Sequence, residues 1–518
     1  MSVPIGVNSM YRMCLWMLLT SALSSELAAA SADESQVMTS VGHYHGVIDA
    51  TGVRSFRGIR YAESPAGGHR WQPPRPVKKL SGMTSAMDYG PACLQPKRAA
   101  STALRTDEDC LFLNVWTPAS ATRERLPVMV WIHGGGFLTG DGRIPGEVLA
   151  THGVVVVSMN YRLGPLGFMA HETLKSNIAN FGLLDLVAAL DWVQENIAVF
   201  GGDPNNVTLF GVSAGGQAVN MLMVNPQAAG KFHRAIAQSG YSTWALPRTS
   251  DAPKPAPLSA DMRKADSAES ISMHVLSRAY PNATSLPPLR EVEGQRLVDA
   301  VEGFQLPIVD GSSLPEEPAR LFLRGKQAKV PFMTGGNSFE GSVMPQSGIS
   351  VDRFARMLGE SFSTIESLYA SDFAISRDIG IQRAFGDTRY LVSARMLATA
   401  MRTVDAPAWL YYVDLAPEQL LPGMVGTPHA FDQLMLFGSD RIINESTRRT
   451  SERLRRYWVE FARSGQPGVP ELTSWATCCI NQDQWMVFGV NDDVRSGMLS
   501  DKLDVLTELY QKRWATVH

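Results

Sequence analysis

The stretch Val207-Thr-Leu-Phe-Gly-Val-Ser213-Ala-Gly-Gly216 restricts the possible architectures more than any other part of the chain. An apolar run suited to a buried strand enters a Gly-x-Ser-x-Gly pentapeptide, and Gln217 to Val224 continues as a helix-compatible run. Strand, sharp turn and helix form the setting in which a serine hydroxyl is projected from the edge of a sheet. Gly211 and Gly215 permit a turn that a Cβ at either position would obstruct.

Other apolar runs fit the same plan: Val128–Ile132, Val154–Val157, Val330–Met333 and Trp409–Val413. Continuous rather than alternating apolarity marks strands covered on both faces, as in parallel sheets. Between them, residues 182–200 place Leu183, Leu186, Val187, Leu190, Val193 and Ile197 at helical spacing, with Asp185, Asp191, Gln194 and Glu195 mostly on the opposite face. Alternating strands and helices predict a doubly wound α/β sheet. From Pro247 to Pro288 the chain turns Pro-, Ser- and Ala-rich and strand signals vanish, which predicts a helical or looped insertion, over about 245–320, above the sheet.

A formal net charge of -3 across 518 residues gives no electrostatic reason to expect nucleic acid or an anionic membrane as partner. The N-terminus reads as an export signal: Arg12, an apolar core from Met13 to Leu23, then Ala30-Ser31-Ala32 as a cleavage site. That core is shorter than the roughly 20 residues a membrane span requires. Removal of residues 1–32 predicts a secreted or periplasmic protein, with residues 33–518 as a single domain. Cys93, Cys110, Cys478 and Cys479 would then remain, and an oxidising compartment can pair them. Cys93 with Cys110 closes a modest loop and is the expected pair. Cys478 and Cys479 are adjacent, able to bond only through a strained ring, and are expected to be free and buried.

A serine hydroxyl is a poor nucleophile near neutral pH without a general base, an orienting acid and donors for the developing oxyanion. On a sheet of this kind these partners follow in the order serine, acid, histidine. Only His429 and His518 follow the late acidic candidates, and a terminal residue is a poor site for a base. His429 lies in Gly426-Thr-Pro-His429-Ala-Phe-Asp432, after the Trp409 run. For the acid, Glu340 in Gly335-Gly-Asn-Ser-Phe-Glu340-Gly341 sits just past the end of an expected strand, where open α/β sheets place their chemistry. Asp310 competes, but Asp310-Gly311 reads as a simple turn. His133-Gly134-Gly135-Gly136-Phe137 follows the Val128 run, and its glycines let backbone N–H groups converge unobstructed. The amide of Ala214 is a further donor, each being worth about 3–4 kcal/mol in a transition state. No Gly-Lys-Ser/Thr follows the glycines, which argues against phosphate cradling. His133 itself reads as structural.

With these residues in place, the sequence resembles the type-B carboxylesterase (cholinesterase-like) family of α/β hydrolases. The resemblance spans about Gly46 to Gly489. It rests on residues 56–62 (Phe-Arg-Gly-Ile-Arg-Tyr-Ala), 108–116, 133–137, Asn160-Tyr-Arg162, 200–211, Ala237-Gln-Ser-Gly240 and 485–489. It implies an α/β-hydrolase fold with a mostly parallel central sheet flanked by helices. It also implies Ser213, Glu340 and His429 as a triad, with Gly135, Gly136 and Ala214 as the oxyanion hole. A Cys93–Cys110 disulfide and ion pairs Arg70–Glu108 and Arg162–Asp185 are implied as well. Two positions depart from the family pattern: Val212 stands where glutamate usually precedes the nucleophile, and Phe339 where aspartate often precedes the acid.

The expected activity is serine carboxylester hydrolysis through an acyl-enzyme, needing no metal or organic cofactor, on a small-molecule ester. The stretch from Leu94 to Asp109 has no aromatic residue to receive a quaternary ammonium, so choline esters are not expected. Met221, Met223, Met333 and Phe339 predict apolar surroundings and uncharged aliphatic or aryl substrates, while Trp244 is either a wall of the acyl pocket or a core residue. Lipase or amidase action, and a non-catalytic cholinesterase-like recognition protein, are the alternatives. The second normally lacks a member of the triad.

Overall fold

A computed structural model of the protein describes residues 35–98, 104–119, 125–174, 177–250, 267–282, 288–420, 422–438, 444–479 and 482–515. The expected leader and His518 lie outside them.

The apolar runs form the middle of an 11-stranded sheet. In chain order its strands are β1 (Val47–Ile48), β2 (Val53–Arg60), β3 (Phe112–Pro118), β4 (Leu126–Ile132), β5 (Val155–Met159), β6 (Gly202–Val212), β7 (Arg234–Gln238), β8 (Phe332–Asn337), β9 (Ala408–Val413), β10 (Gln484–Phe488) and β11 (Asp493–Ser496). They lie side by side as β1-β2-β3-β5-β4-β6-β7-β8-β9-β10-β11. From β5 through β10 every pairing is parallel, and the outer strands at both edges pair antiparallel. Strand order reverses at β4, with β5 on one side and β6 on the other. The crevice beyond the carboxyl ends of strands at such a reversal is where α/β sheets bind ligands.

Residues along the central strands alternate between two cores. Val128, Val130 and Ile132 of β4, with Val207 and Leu209 of β6, join one. Met129, Trp131, Phe210 and Val212 join the other. Helix α1 (Phe181–Asn196) and helix α2 (Ala214–Met223) cover the first face, with Leu186, Leu190 and Val219 buried there. Helix α3 (Phe431–Phe437) and helix α4 (Glu445–Ser464) cover the second through Leu436, Leu454, Trp458 and Phe461. Asn444, in a glycosylation sequon by sequence, caps α4 by accepting from the Thr447 N–H at 3.0 Å. Among the described residues, no helix is long and apolar enough to cross a membrane. The described part of 245–320 adds helices and irregular chain but no strand to the sheet.

Three expectations need correction. The strand expected at Val330 begins at Phe332, because Pro331 has no N–H to give a ladder, and it continues through Gly335 and Gly336. Those glycines look like loop residues in sequence. A Cβ on Gly335 would meet the Tyr411 carbonyl oxygen at 2.0 Å, so close packing within the sheet requires glycine. Asp185 does not belong to an exposed helix face. It is buried, and its carboxylate accepts from Arg162 Nε at 2.8 Å and Nη2 at 2.6 Å. Finally, Cys478 and Cys479 are buried but not free. They are joined by a disulfide, as are Cys93 and Cys110. A positive φ of 72° at Cys479 turns the backbone where the two adjacent side chains meet.

The Arg162–Asp185 pair is removed from water, with side chains 4% and 0% exposed. Loss of one partner strands a buried charge and costs about 3–5 kcal/mol. The exposed Glu445–Arg448 pair on α4 is worth less than about 1 kcal/mol. Urea titration should therefore find Asp185→Ala less stable by about 3–5 kcal/mol, and Glu445→Ala changed by under about 1 kcal/mol.

Candidate active site

At the end of β6 the chain reverses direction through Ser213, whose φ of 57° and ψ of -117° place it in a region L-residues avoid. Two hydrogen bonds hold the turn: Ser213 N–H donates to Gln238 O, and Gln217 N–H donates to Ser213 O, each at 2.8 Å. Helix α2 then starts almost against the end of β4. A Cβ on Gly215 would lie 2.0 Å from the Ile132 carbonyl oxygen, and one on Gly211 would lie 2.6 Å from it. Ala214 opens α2, so its N–H is one of those a helix leaves without an intrahelical acceptor.

His429 borders the same cavity as Ser213 from the loop before α3. Its Nδ1 is hydrogen-bonded to Glu340 Oε2, and its Nε2 is buried without a hydrogen-bond partner. The His429 N–H donates to Ser342 Oγ at 2.8 Å, and the Tyr390 ring packs against the imidazole with centroids 4.7 Å apart. Glu340 is buried. Its Oε1 accepts from Ser239 Oγ at 2.6 Å, from the Asn337 N–H at 2.6 Å and from Asn337 Nδ2 at 3.1 Å. Burial pushes its pKa up, but the attraction and hydrogen bond of His429, with those of Ser239 and Asn337, outweigh it and leave the pKa below the ordinary value. A depressed carboxylate stabilises the fold above its unfolded pKa, and that contribution is lost as pH falls through the folded value.

Ser213, His429 and the glycine loop face one cavity of about 790 Å³. Gly134, Gly135 and Gly136 line it, with positive φ at Gly135 (104°) and Gly136 (62°). The Gly135 carbonyl accepts from Leu138 N–H at 3.1 Å and Thr139 N–H at 3.0 Å, which turns that carbonyl into the loop. His133 stacks on Tyr161 at 4.5 Å and contacts the Gly134 carbonyl through Nδ1. Burial lowers its pKa, opposed by the Gly134 contact, and the stacked ring supports the loop. Leu138, Val212, Phe304 and Val343 give the cavity an apolar wall, and the exposed Arg98 and Arg143 lie at its rim.

Other sequence candidates fall elsewhere. Met221, Met223 and Met333 are core residues outside the cavity wall, so they do not bear on substrate charge. Phe339 also lies outside the wall. Its N–H donates to Thr427 O at 2.7 Å and its ring lies under the Arg383 guanidinium, tying the glutamate loop to the histidine loop. Trp244 borders a separate space of about 70 Å³ and packs on Phe354 and Phe385. Asp310 is spent on a turn, accepting from Ser313 Oγ, Leu314 N–H and Ala179 N–H. Arg70–Glu108 and Arg162–Asp185 both form.

The sequence matches the carboxylesterase family over residues 33–506. The chain belongs to the carboxylesterase family. Fumonisin B1 esterase of Sphingopyxis macrogoltabida is 32% identical to this esterase over 89% of the chain and 88% of the relative. Para-nitrobenzyl esterase of Bacillus subtilis (strain 168) is 33% identical, covering 85% of this chain and 91% of its own. Among solved structures, a PNB esterase superposes with a TM-score of 0.74 at 31% identity, covering 91% of this chain and 100% of that one. A carboxylesterase of Geobacillus stearothermophilus gives 0.76 at 27% identity, covering 93% and 100%. The esterase has the α/β-hydrolase fold and hydrolyses carboxylic esters.

Sequence reasoning passed over several residues of this site. Ser239 and Asn337 lie beside the motif residues in sequence, yet neither residue type signals a contact with Glu340. Tyr390 sits in a five-residue π-helical stretch, Asp387–Leu391, a form common at functional sites but without a sequence signature. Arg383, which donates to Val425 O at 2.8 Å and to Ser338 O, is an ordinary helix arginine until the loops meet.

Val212 forms part of the cavity wall beside Ser213 and puts no charge there. A carboxylate at that position would favour the imidazolium. The acidic limb of the esterase's pH–rate profile is therefore expected to move to higher pH in Val212→Glu, measured as kcat/KM on a neutral ester.

Proposed function

We propose that the esterase works through Ser213, His429 and Glu340. The reading rests on one observation: an imidazole held by a buried carboxylate at Nδ1, with its Nε2 unpartnered, borders the same cavity as a serine on a strained turn. His429 takes the Ser213 proton as Oγ attacks the ester carbonyl. The N–H groups of Gly135, Gly136 and Ala214 receive the oxyanion. His429 then protonates the departing alcohol, and in the second half it activates the water that releases the acid and restores Ser213. Glu340 fixes the imidazole tautomer and stabilises the imidazolium without taking the proton.

The partner is a small-molecule ester, since a net charge of -3 gives no pull towards nucleic acid. The wall of Leu138, Val212, Phe304 and Val343 suits aliphatic or aryl groups. Export is part of the same proposal, supported by the leader-like residues 1–32 and by the Cys93–Cys110 disulfide, a bond favoured in oxidising compartments.

A serine-reactive organophosphate should label the Ser213 peptide and abolish hydrolysis of p-nitrophenyl esters of graded acyl length. Ser213→Ala should lose both labelling and about 10⁵–10⁶-fold in kcat. Activity that survives this substitution would remove Ser213 from the mechanism. Glu340→Gln is expected to lower kcat by about 10⁴-fold with little change in KM, because an amide favours the wrong imidazole tautomer.

A further inference from the structure

The active-site cavity is apolar along part of its wall and charged at its mouth, where Arg98, Asp141 and Arg143 line it. Arg98 spends its terminal nitrogens on main-chain carbonyls, donating to Asp299 O at 3.2 Å and Val301 O at 2.6 Å. Arg143 is less committed. Its side chain is 33% exposed, and among the described residues neither its Nη1 nor its Nη2 makes a hydrogen bond. The guanidinium rests over the Tyr89 ring, 5.7 Å from its centroid. Asp141 Oδ1 lies 3.9 Å from Arg143 Nε, too far for a hydrogen bond, and that oxygen already accepts from the Arg143 N–H at 2.7 Å. Among the lining residues, two guanidinium groups thus face one carboxylate, and Arg143 has donors to give.

The chemistry says which half of an ester meets Arg143. A base in the position of His429 protonates the departing alcohol, so the alcohol lies on the side of the cavity formed by the His429 loop. Ala430 and Gln433 line the cavity on that side together with Trp131, Ile144 and Val212. Trp131, Ile144 and Val212 belong to the second core, and Ala430 packs against it. Arg143 directly precedes Ile144, at the rim of this side. Val343, which packs against the first core, lines the other side, where the acyl half is left to lie.

We propose that Arg143 recognises a carboxylate on the alcohol half, and that the esterase cleaves acylated hydroxy acids. The acyl carbon exchanges its bond to the alkoxy oxygen for one to Ser213 Oγ, His429 delivers the serine proton to that oxygen, and a hydroxy acid leaves past Arg143. This rests on the serine mechanism proposed above and specifies its leaving group, while the acyl half stays apolar. A carboxylate takes both terminal nitrogens of the guanidinium in the bidentate geometry that Asp141, placed beside Nε, does not provide.

The test uses the full chain and the butanoate esters of 4-hydroxyphenylacetate and 4-hydroxyphenylacetamide, which match in shape and differ by one charge. The unaltered esterase should favour the acetate ester in kcat/KM. Arg143→Met should shift the ratio of the two values by about 5- to 30-fold towards the amide, and Arg143→Lys should keep part of the preference. Asp141→Asn removes the competing charge and retains an oxygen for the Arg143 N–H, so it should raise the preference for the anion. In the unaltered protein, added salt should narrow the ratio, because the contact forms at an exposed mouth; this readout is independent of the folding of any variant. A ratio that Arg143→Met leaves unchanged, or that Asp141→Asn moves towards the amide, would overturn the proposal and leave the triad intact. Hydrolysis of both esters that survives Ser213→Ala would instead overturn the mechanism beneath it.

Discussion

The active site depends on a backbone-to-backbone approach with no room for side chains. The Ile132 carbonyl, at the end of β4, lies where a Cβ on Gly211 or Gly215 would have to be. That contact brings the start of α2 against the end of β4. It therefore sets the Ser213 turn beside the glycine loop that leaves β4, at the point where strand order reverses. Any L-residue other than glycine at position 215 would have to separate α2 from the sheet. The proposed donors and the Ser213 hydroxyl would then be moved apart, and the transition-state stabilisation proposed for them tolerates little misplacement.

The same strand ends bury two carboxylates close together. Asp432, at the start of α3, accepts from Gln238 Nε2 at 2.9 Å and from the Tyr411 hydroxyl at 2.7 Å. Burial raises its pKa, opposed by those donors. The Asn337 amide donates to both Asp432 Oδ1 and Glu340 Oε1, at 3.2 Å and 3.1 Å. Like charges at this range repel, and only dense hydrogen bonding makes their burial tolerable. Glu340, with the imidazole as an additional partner, is the one whose ionised form is favoured. The environment thus gives two neighbouring carboxylates opposite pKa directions, and only one of them faces His429.

What could be read in advance follows the range of the interaction. Runs such as Val128–Ile132 and Trp409–Val413 announce buried strands because their signal is local, and glycines announce turns for the same reason. The candidate serine and acid are legible because each lies beside a strand end, and His429 because chain order leaves only it and the terminal His518. Residues that act only across loops gave no such sign. Phe339, Arg383 and Tyr390 acquire meaning when the glutamate and histidine loops pack together, and nothing in their neighbours predicts that contact. The methionines illustrate the converse: an apolar residue near the motif was as compatible with the core as with the pocket, and the core took Met221, Met223 and Met333. The Cys478–Cys479 bond depends on the backbone turn at Cys479, which adjacency in the sequence does not reveal.

The expected donors at Gly135 and Gly136 are themselves held by a chain of contacts that ends in a covalent bond. Thr139 N–H closes a turn onto the Gly135 carbonyl, and the next residue, Gly140, exchanges hydrogen bonds with the Gln95 side chain: its N–H donates to Oε1 and its carbonyl accepts from Nε2, each at 3.1 Å. Gln95 stands two residues from Cys93, whose disulfide partner Cys110 is two residues from Glu108, the acceptor for Arg70. The Cys110 carbonyl in turn accepts from Asn160 Nδ2, and Asn160 Oδ1 accepts from the Gly142 N–H. Reducing the disulfide would leave each of these contacts sterically possible. It would also free the segment that makes them from its second anchor, raising the entropic cost of holding Gly140, and with it the donor loop, in place. The Cys93–Cys110 bond is in this way connected to the geometry of the loop proposed to carry the oxyanion donors.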